Sequence, residues 1–216
     1  MSSLDHHDHD HDHAHDHART LRKDQDDTIT HYRAMEIAVR ELLIEKGIIT
    51  PDGVRRAVEF MDGRNPEYGA RMVARAWVDP AYKLRMLKDG SAAAAELGLD
   101  VGPLKLVVVE NTPTLNNMIV CTLCSCYPRN LLGLPPDWYK SRNYRSRAVN
   151  EPRVVLREFG TVIPDDVEVR VHDSTADMRY LVLPRRPAGT ETLDEAALAR
   201  LVTRDSMVGV ALADTP

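Results

Sequence analysis

No run of about 18 apolar residues occurs in this chain, which excludes a helix that crosses a bilayer. Nor does the N-terminus show the charged-then-apolar pattern of a secretory signal, so the expected location is the cytoplasm, where thiols stay reduced. Basic charge is not in excess. The net charge is −5, and residues 1–27 hold eight Asp against Arg19, Arg22 and Lys23, leaving the rest of the chain balanced. Neither a nucleic-acid footprint nor a membrane-binding surface is expected from such a body. Cysteine is scarce as well: there are three in 216 residues, all within 121–126. No second, separated pair exists to complete a structural zinc site.

What the chain does have falls into three stretches. Residues 1–27 form a His/Asp-rich tail. Its segment Asp5–His17 alternates the two residue types, has almost nothing to bury and is expected to be disordered, with loose affinity for divalent metal. Residues 28–100 read as a helical arm. Ile29, Tyr32, Ile37, Leu42 and Leu43 give a helical stripe stopped by Gly47, and Thr50-Pro51 opens a helix to about Met61. A third helix follows Asn65-Pro66, a fourth opens at Asp79-Pro80, and Ala92 to Leu97 is a short fifth. Residues 101–216 read as an α+β domain. Strands are expected at Leu104–Val109, Met118–Val120, Val167–Val171 and Tyr180–Leu183. Helices are expected at Asp137–Val149 and Pro152–Phe159, and from a capping box at Thr192–Glu195 to Leu201.

The cysteines sit just after the second of these strands, as Cys121-Thr-Leu-Cys124-Ser-Cys126. Unrelated structural cysteines would not crowd into six positions. A redox pair would have a third thiol competing, and a Cys-x-Cys bridge is strained. A closed zinc site wants a fourth ligand, and outside the tail only His31 and His172 remain. The reading that fits best is a catalytic metal site with a position left open for substrate. Small Ser125 at the tightest point lets main-chain nitrogens approach the ion.

Val-Cys-Thr-Leu-Cys-Ser-Cys at 120–126 resembles the metal-binding motif of nitrile hydratase α subunits. The resemblance extends to Val-Val-Val-Glu-Asn-Thr-Pro at 107–113, Leu-Gly-Leu-Pro-Pro at 132–136, Trp-Tyr-Lys at 138–140, Tyr-Arg-Ser-Arg at 144–147 and Val-Thr-Arg-Asp-Ser-Met at 202–207. It implies a helical arm before a layered α/β/α-type catalytic domain. It also implies a low-spin Co(III) centre, with Fe(III) the lesser alternative, since Thr122 resembles the cobalt branch. The implied ligands are the sulfurs of Cys121, Cys124 and Cys126 and the deprotonated amide nitrogens of Ser125 and Cys126. Cys124 would be oxidised to sulfinic acid and Cys126 to sulfenic acid, while Cys121 stays a thiolate. The activity implied is hydration of nitriles to amides. Cys126 and Ser125 would stand at the reacting centre, in an αβ or α2β2 assembly whose β subunit supplies arginines to the oxidised sulfurs. A metallochaperone or activator is a further implied partner.

One departure stands beside the loop. After Tyr127-Pro128 the family pattern has Trp-Pro, whereas this chain has Arg129-Asn130. An arginine there shifts the substrate pocket toward anions or forms a salt bridge to the partner subunit. The related thiocyanate hydrolase, which makes carbonyl sulfide and ammonia, has Arg at this place and is the alternative reading. Asp173 and Arg179 match polar positions that tie the site to the β subunit. A metal storage or delivery protein is the non-enzyme alternative, weakened because an inert trivalent centre barely exchanges.

Overall fold

The structure, a computed structural model, describes residues 30–216, so the His/Asp-rich tail lies outside the described residues. Contacts divide the chain after Gly53. In the first unit, helix α1 (His31–Glu45) is capped by Thr30, whose side chain accepts from the Arg33 amide. The helix buries none of its residues. Tyr32, Met35, Val39 and Leu42 recur at helical spacing, and all are exposed. Helix α2 (Pro51–Asp62) starts where Thr50 Oγ1 accepts from the Gly53 amide at 3.0 Å, with Pro51 in the first turn.

The second unit, from Val54, holds the core. Helices α3 (Glu67–Val78), α4 (Pro80–Lys88) and α5 (Gly90–Glu96) precede strands β1 (Lys105–Glu110) and β2 (Leu115–Val120). Asp79 and Asp89 each cap a following helix, accepting from the Tyr82 and Ala92 amides. Four short helices come next: α6 (Arg129–Leu132), α7 (Asp137–Lys140), α8 (Arg142–Asn150) and α9 (Pro152–Glu158). Strands β3 (Glu168–Asp173) and β4 (Met178–Leu183) precede α10 (Glu195–Arg200) and α11 (Arg204–Val208).

The strands form two parallel pairs, β1 with β4 and β2 with β3. Parallel pairs need both faces covered, and here helices supply the cover. Helices α4 and α5 pack on β1, α8 on β2, α9 on β3 and α11 on β4, while α3 packs on α10. The side chains of Met72, Val73, Met118, Val120, Leu181 and Val182 are fully buried between them. The helices of residues 67–96 therefore belong to the same core as the strands; the change of character that the sequence shows at 101 is not where contacts divide the chain.

Two local expectations are corrected. The single helix over Asp137–Val149 is two, because Ser141 is extended (φ −63°, ψ 142°) and its side chain caps α8 by accepting from the Tyr144 amide. The capping box lies at Thr203–Ser206, where both reciprocal hydrogen bonds are made, whereas α10 is capped by Asp194. The turn after α11 needs glycine. Gly209 has φ +85°, and a Cβ there would fall 2.0 Å from the Asn117 carbonyl oxygen in β2.

Candidate metal centre

Strand β2 delivers the cysteine loop. Its side chains are almost wholly buried, and Cys121, the next residue, is 1 % exposed. Beneath the strand lies a polar network. Asn117 donates through Nδ2 to the Glu110 carbonyl and to Asn111 Oδ1, and His172 Nε2 meets Asn117 Oδ1 at 2.8 Å. The amide's donors being committed, Oδ1 is the acceptor and His172 carries its proton on Nε2. Burial, with Arg170 adding to it, pushes the His172 imidazole below its ordinary value, so it is held neutral.

The three sulfurs converge, every pair within 4.8 Å. Cys121 and Cys124 Sγ are 3.4 Å apart, and Cys124 and Cys126 Sγ 3.3 Å. Two thiolates each ~2.3 Å from one ion lie ~3.3 Å apart at a right angle and ~3.8 Å apart at a tetrahedral angle. The observed edges therefore suit right-angled coordination better than a tetrahedral zinc site. The donor set passes a second test. The main chain of the loop turns toward the sulfurs: the Cys124 amide donates to Cys121 Sγ at 3.3 Å, and the Ser125 and Cys126 amides help pull the Cys124 thiol down.

The thiols are not equivalent. Cys124 is exposed and pulled down to about 7, chiefly by hydrogen bonds with Cys126 and Cys121 and then by the two amides. Cys126 is half-buried and pushed up to about 12, first by burial and then by its sulfur neighbours, while the Arg179 guanidinium opposes the rise.

The ends of the loop are tied down. Asp173, the last residue of β3, accepts from the Thr122 amide at 3.0 Å and from Thr122 Oγ1 at 2.5 Å. Arg145 reaches the Thr122 carbonyl at 3.4 Å. At the exit, Tyr127 is buried edge-to-face on Tyr139, with ring centroids 5.0 Å apart. Both phenols are pushed up by desolvation.

A cavity of about 510 Å³ opens against the loop, lined by Cys124, Ser125, Cys126, Tyr127, Arg129 and Arg179, with Leu104, Leu106, Leu131 and Leu134 as apolar wall. Arg129 is exposed at the start of α6. Arg179 curls onto the carbonyls of Thr175, Ala176 and Met178, leaving a buried Nε with no hydrogen bond. Thus Cys121, Thr122, Cys124, Ser125, Cys126, Tyr127, Arg129, Asp173 and Arg179, spread over 59 positions in sequence, meet in one place. Tyr139, Tyr144, Arg145 and Ser174 also reach the loop or the strand that delivers it. Sequence reasoning had no signal for them beyond the Trp-Tyr-Lys and Tyr-Arg-Ser-Arg segments.

A parallel-stranded fold with three thiols around one point, beside a cavity, defines a metal-dependent enzyme of the cysteine-loop type. The chain belongs to the nitrile hydratase alpha chain family, whose sequence model matches residues 30–211. It is 49 % identical over 201 residues to the alpha subunit of the low-molecular weight cobalt-containing nitrile hydratase of Rhodococcus rhodochrous, covering 91 % of this chain and 94 % of that one. It is 43 % identical over 196 residues to the thiocyanate hydrolase gamma subunit of Thiobacillus thioparus, covering 85 % and 81 %. Among solved structures, a recombinant thiocyanate hydrolase with partially modified cobalt centres superposes with a TM-score of 0.82 at 42 % identity, over 87 % of this chain and 92 % of that one. An iron-type nitrile hydratase from Comamonas testosteroni Ni1 superposes with a TM-score of 0.80 at 42 % identity, over 86 % and 91 %. Among the described residues no helix is long and apolar enough to cross a membrane.

Proposed function

We propose that this chain is the metal-bearing α subunit of a cobalt-type nitrile hydratase, adding water to R–C≡N to give R–C(=O)NH2 in the cytoplasm. The observation that carries the reading is the convergence of three sulfurs against a cavity of about 510 Å³. Cys121, Cys124 and Cys126, with the amide nitrogens of Ser125 and Cys126, would hold trivalent cobalt. The bound metal supplies Lewis acidity to the nitrile or to water. Cys124 and Cys126 face the cavity and are the thiols expected to be oxidised to sulfinate and sulfenate, while buried Cys121 stays a thiolate. Cys126, once oxidised, would act on the substrate as nucleophile or as base for water, while the Arg179 charge offsets part of the burial that disfavours an anion there. Thr122, through Asp173, fixes the entry of the loop.

The assembly with a β subunit, as αβ or α2β2, finds support in α1, whose apolar stripe has nothing to bury it within its own unit. A metallochaperone or activator, and metal gathering by the tail at residues 1–27, complete the proposal. Deleting residues 1–20 should then lower cobalt occupancy under limiting cobalt, and unchanged occupancy would dismiss that role for the tail.

Arg129 favours a second reading, thiocyanate hydrolysis, because its guanidinium lines the same cavity as Cys126 and attracts anions. Assaying the complex side by side with an aliphatic nitrile and with thiocyanate decides between them. Amide formation with little thiocyanate turnover supports the first reading, and preference for thiocyanate overturns it.

A further inference from the structure

The end of β3 holds the entry of the cysteine loop through Asp173. The amide of the next residue, Ser174, donates to the Val120 carbonyl at 2.8 Å, locking the turn against the end of β2. The Ser174 side chain is 2 % exposed, and its hydroxyl has no hydrogen-bond partner. Tyr139 is fully buried in α7, and its hydroxyl donates to the Cys126 carbonyl oxygen at 2.9 Å.

The Cys126 carbonyl is not among the donors that would hold the metal. The Cys126 carbonyl lies one bond from the Cα that bears the reactive sulfur. A donor held rigidly on that oxygen fixes the backbone torsion at 126. With it are fixed the direction of Cys126 Sγ and the tilt of the Ser125–Cys126 amide toward the other sulfurs. The donor itself cannot wander, because the Tyr139 ring packs edge-to-face on Tyr127 at 5.0 Å and on Trp138 at 5.8 Å.

We infer that Tyr139 is a positioning residue that sets the geometry of Cys126 in the metal centre. With Asp173 holding the entry of the loop and Tyr139 its exit, both ends are clamped by hydrogen bonds to residues outside the loop. The inference rests on the metal-centre reading.

The fold supplies its own control. Tyr144 is 5 % exposed, belongs to the same aromatic cluster and donates to a backbone carbonyl at 2.6 Å, but that carbonyl is Ile119, inside β2. Tyr144→Phe and Tyr139→Phe therefore remove the same kind of bond from the same kind of surroundings, and only one of them touches the loop.

The test compares the two variants and Ser174→Ala with the parent in the assembled complex. It measures metal per chain, the sulfur-to-metal absorption band without substrate, thermal midpoint, kcat and KM. Tyr139→Phe is expected to keep metal near parent occupancy, shift the band and lower kcat about tenfold with KM little changed. Ser174→Ala removes a buried hydroxyl that has no partner and should leave the band in place. Tyr144→Phe should lower the thermal midpoint without moving the band or kcat. An unmoved band in Tyr139→Phe overturns the inference. So does a Tyr144→Phe variant that reproduces the Tyr139→Phe spectrum, since the role would then be merely structural. If Tyr139→Phe does not assemble, 3-fluorotyrosine at position 139, which keeps the hydroxyl as a stronger donor, decides: a shifted band supports the inference and an unmoved one overturns it. A parent complex that binds metal but hydrates no nitrile would defeat the functional reading while leaving the band comparison intact.

Discussion

Replacing Asp173 with Asn should loosen the entry of the cysteine loop by an amount that the contacts themselves set. Both donors on Thr122, the amide at 3.0 Å and the hydroxyl at 2.5 Å, need an acceptor, and the carboxylate offers one oxygen to each. Asparagine has a single oxygen, so one donor loses its partner and faces the amide NH2, itself a donor. A hydrogen bond to a charged group is worth about 1.5–3 kcal/mol, which exposure at Asp173 reduces to about 1–2 kcal/mol. That cost is local, so the assay must read local opening. In the metal-free chain Cys121 is 1 % exposed and can react with iodoacetamide only when the loop lifts. Peptide mass analysis should find its labelling about 5–30-fold faster in Asp173→Asn. Thr122→Val removes the hydroxyl bond alone and should give a smaller acceleration. The double variant should fall short of the product of the two by about 1 kcal/mol of coupling. Labelling within about twofold of the parent in Asp173→Asn, or simple additivity, would refute the tether.

Two further perturbations probe what lies beneath the loop. Gly209→Ala must place a side chain at φ +85° and 2.0 Å from the Asn117 carbonyl, costing about 2–5 kcal/mol and lowering the thermal midpoint by about 4–20 °C. A midpoint shifted by less than about 2 °C would contradict the close packing of that turn on β2. His172 is depressed in the fold, so the unfolded chain takes up its proton first. The stability that neutral His172 contributes is present above its ordinary value of 6.5 and is lost as pH falls from there toward the folded value. Denaturant melts across that range should show a flatter acid limb in His172→Gln, and superimposable curves would remove His172 from the pH response.

The helix starts at Thr50 and Asp79 were legible because a helix start depends on a side chain and the amides within three residues of it. The cysteine loop was legible for a similar reason, since its spacing alone places three sulfurs within reach of one ion. Ser141 was not. It reads as one more residue in a helical run until Trp138, Tyr144 and Phe159 pack around each other and force the chain to turn. The register that brings Asp173 beside Val120, and so within reach of Thr122, depends on a parallel pairing across some fifty residues that no local pattern encodes. Tyr139 stayed hidden on the same ground, because a buried phenol is known by the carbonyl it finds. The helices at 67–96 look like part of an arm in sequence since they follow other helices and precede the first strand. Only contacts with β1 and α10 reveal a shared core.

Elemental analysis of the purified complex tests the central claim most directly. The convergence of three sulfurs, in a chain whose relatives include cobalt-containing enzymes, predicts about one cobalt ion per chain, lost when Cys121 is replaced by Ala. Stoichiometric zinc with no cobalt in the active complex would contradict it.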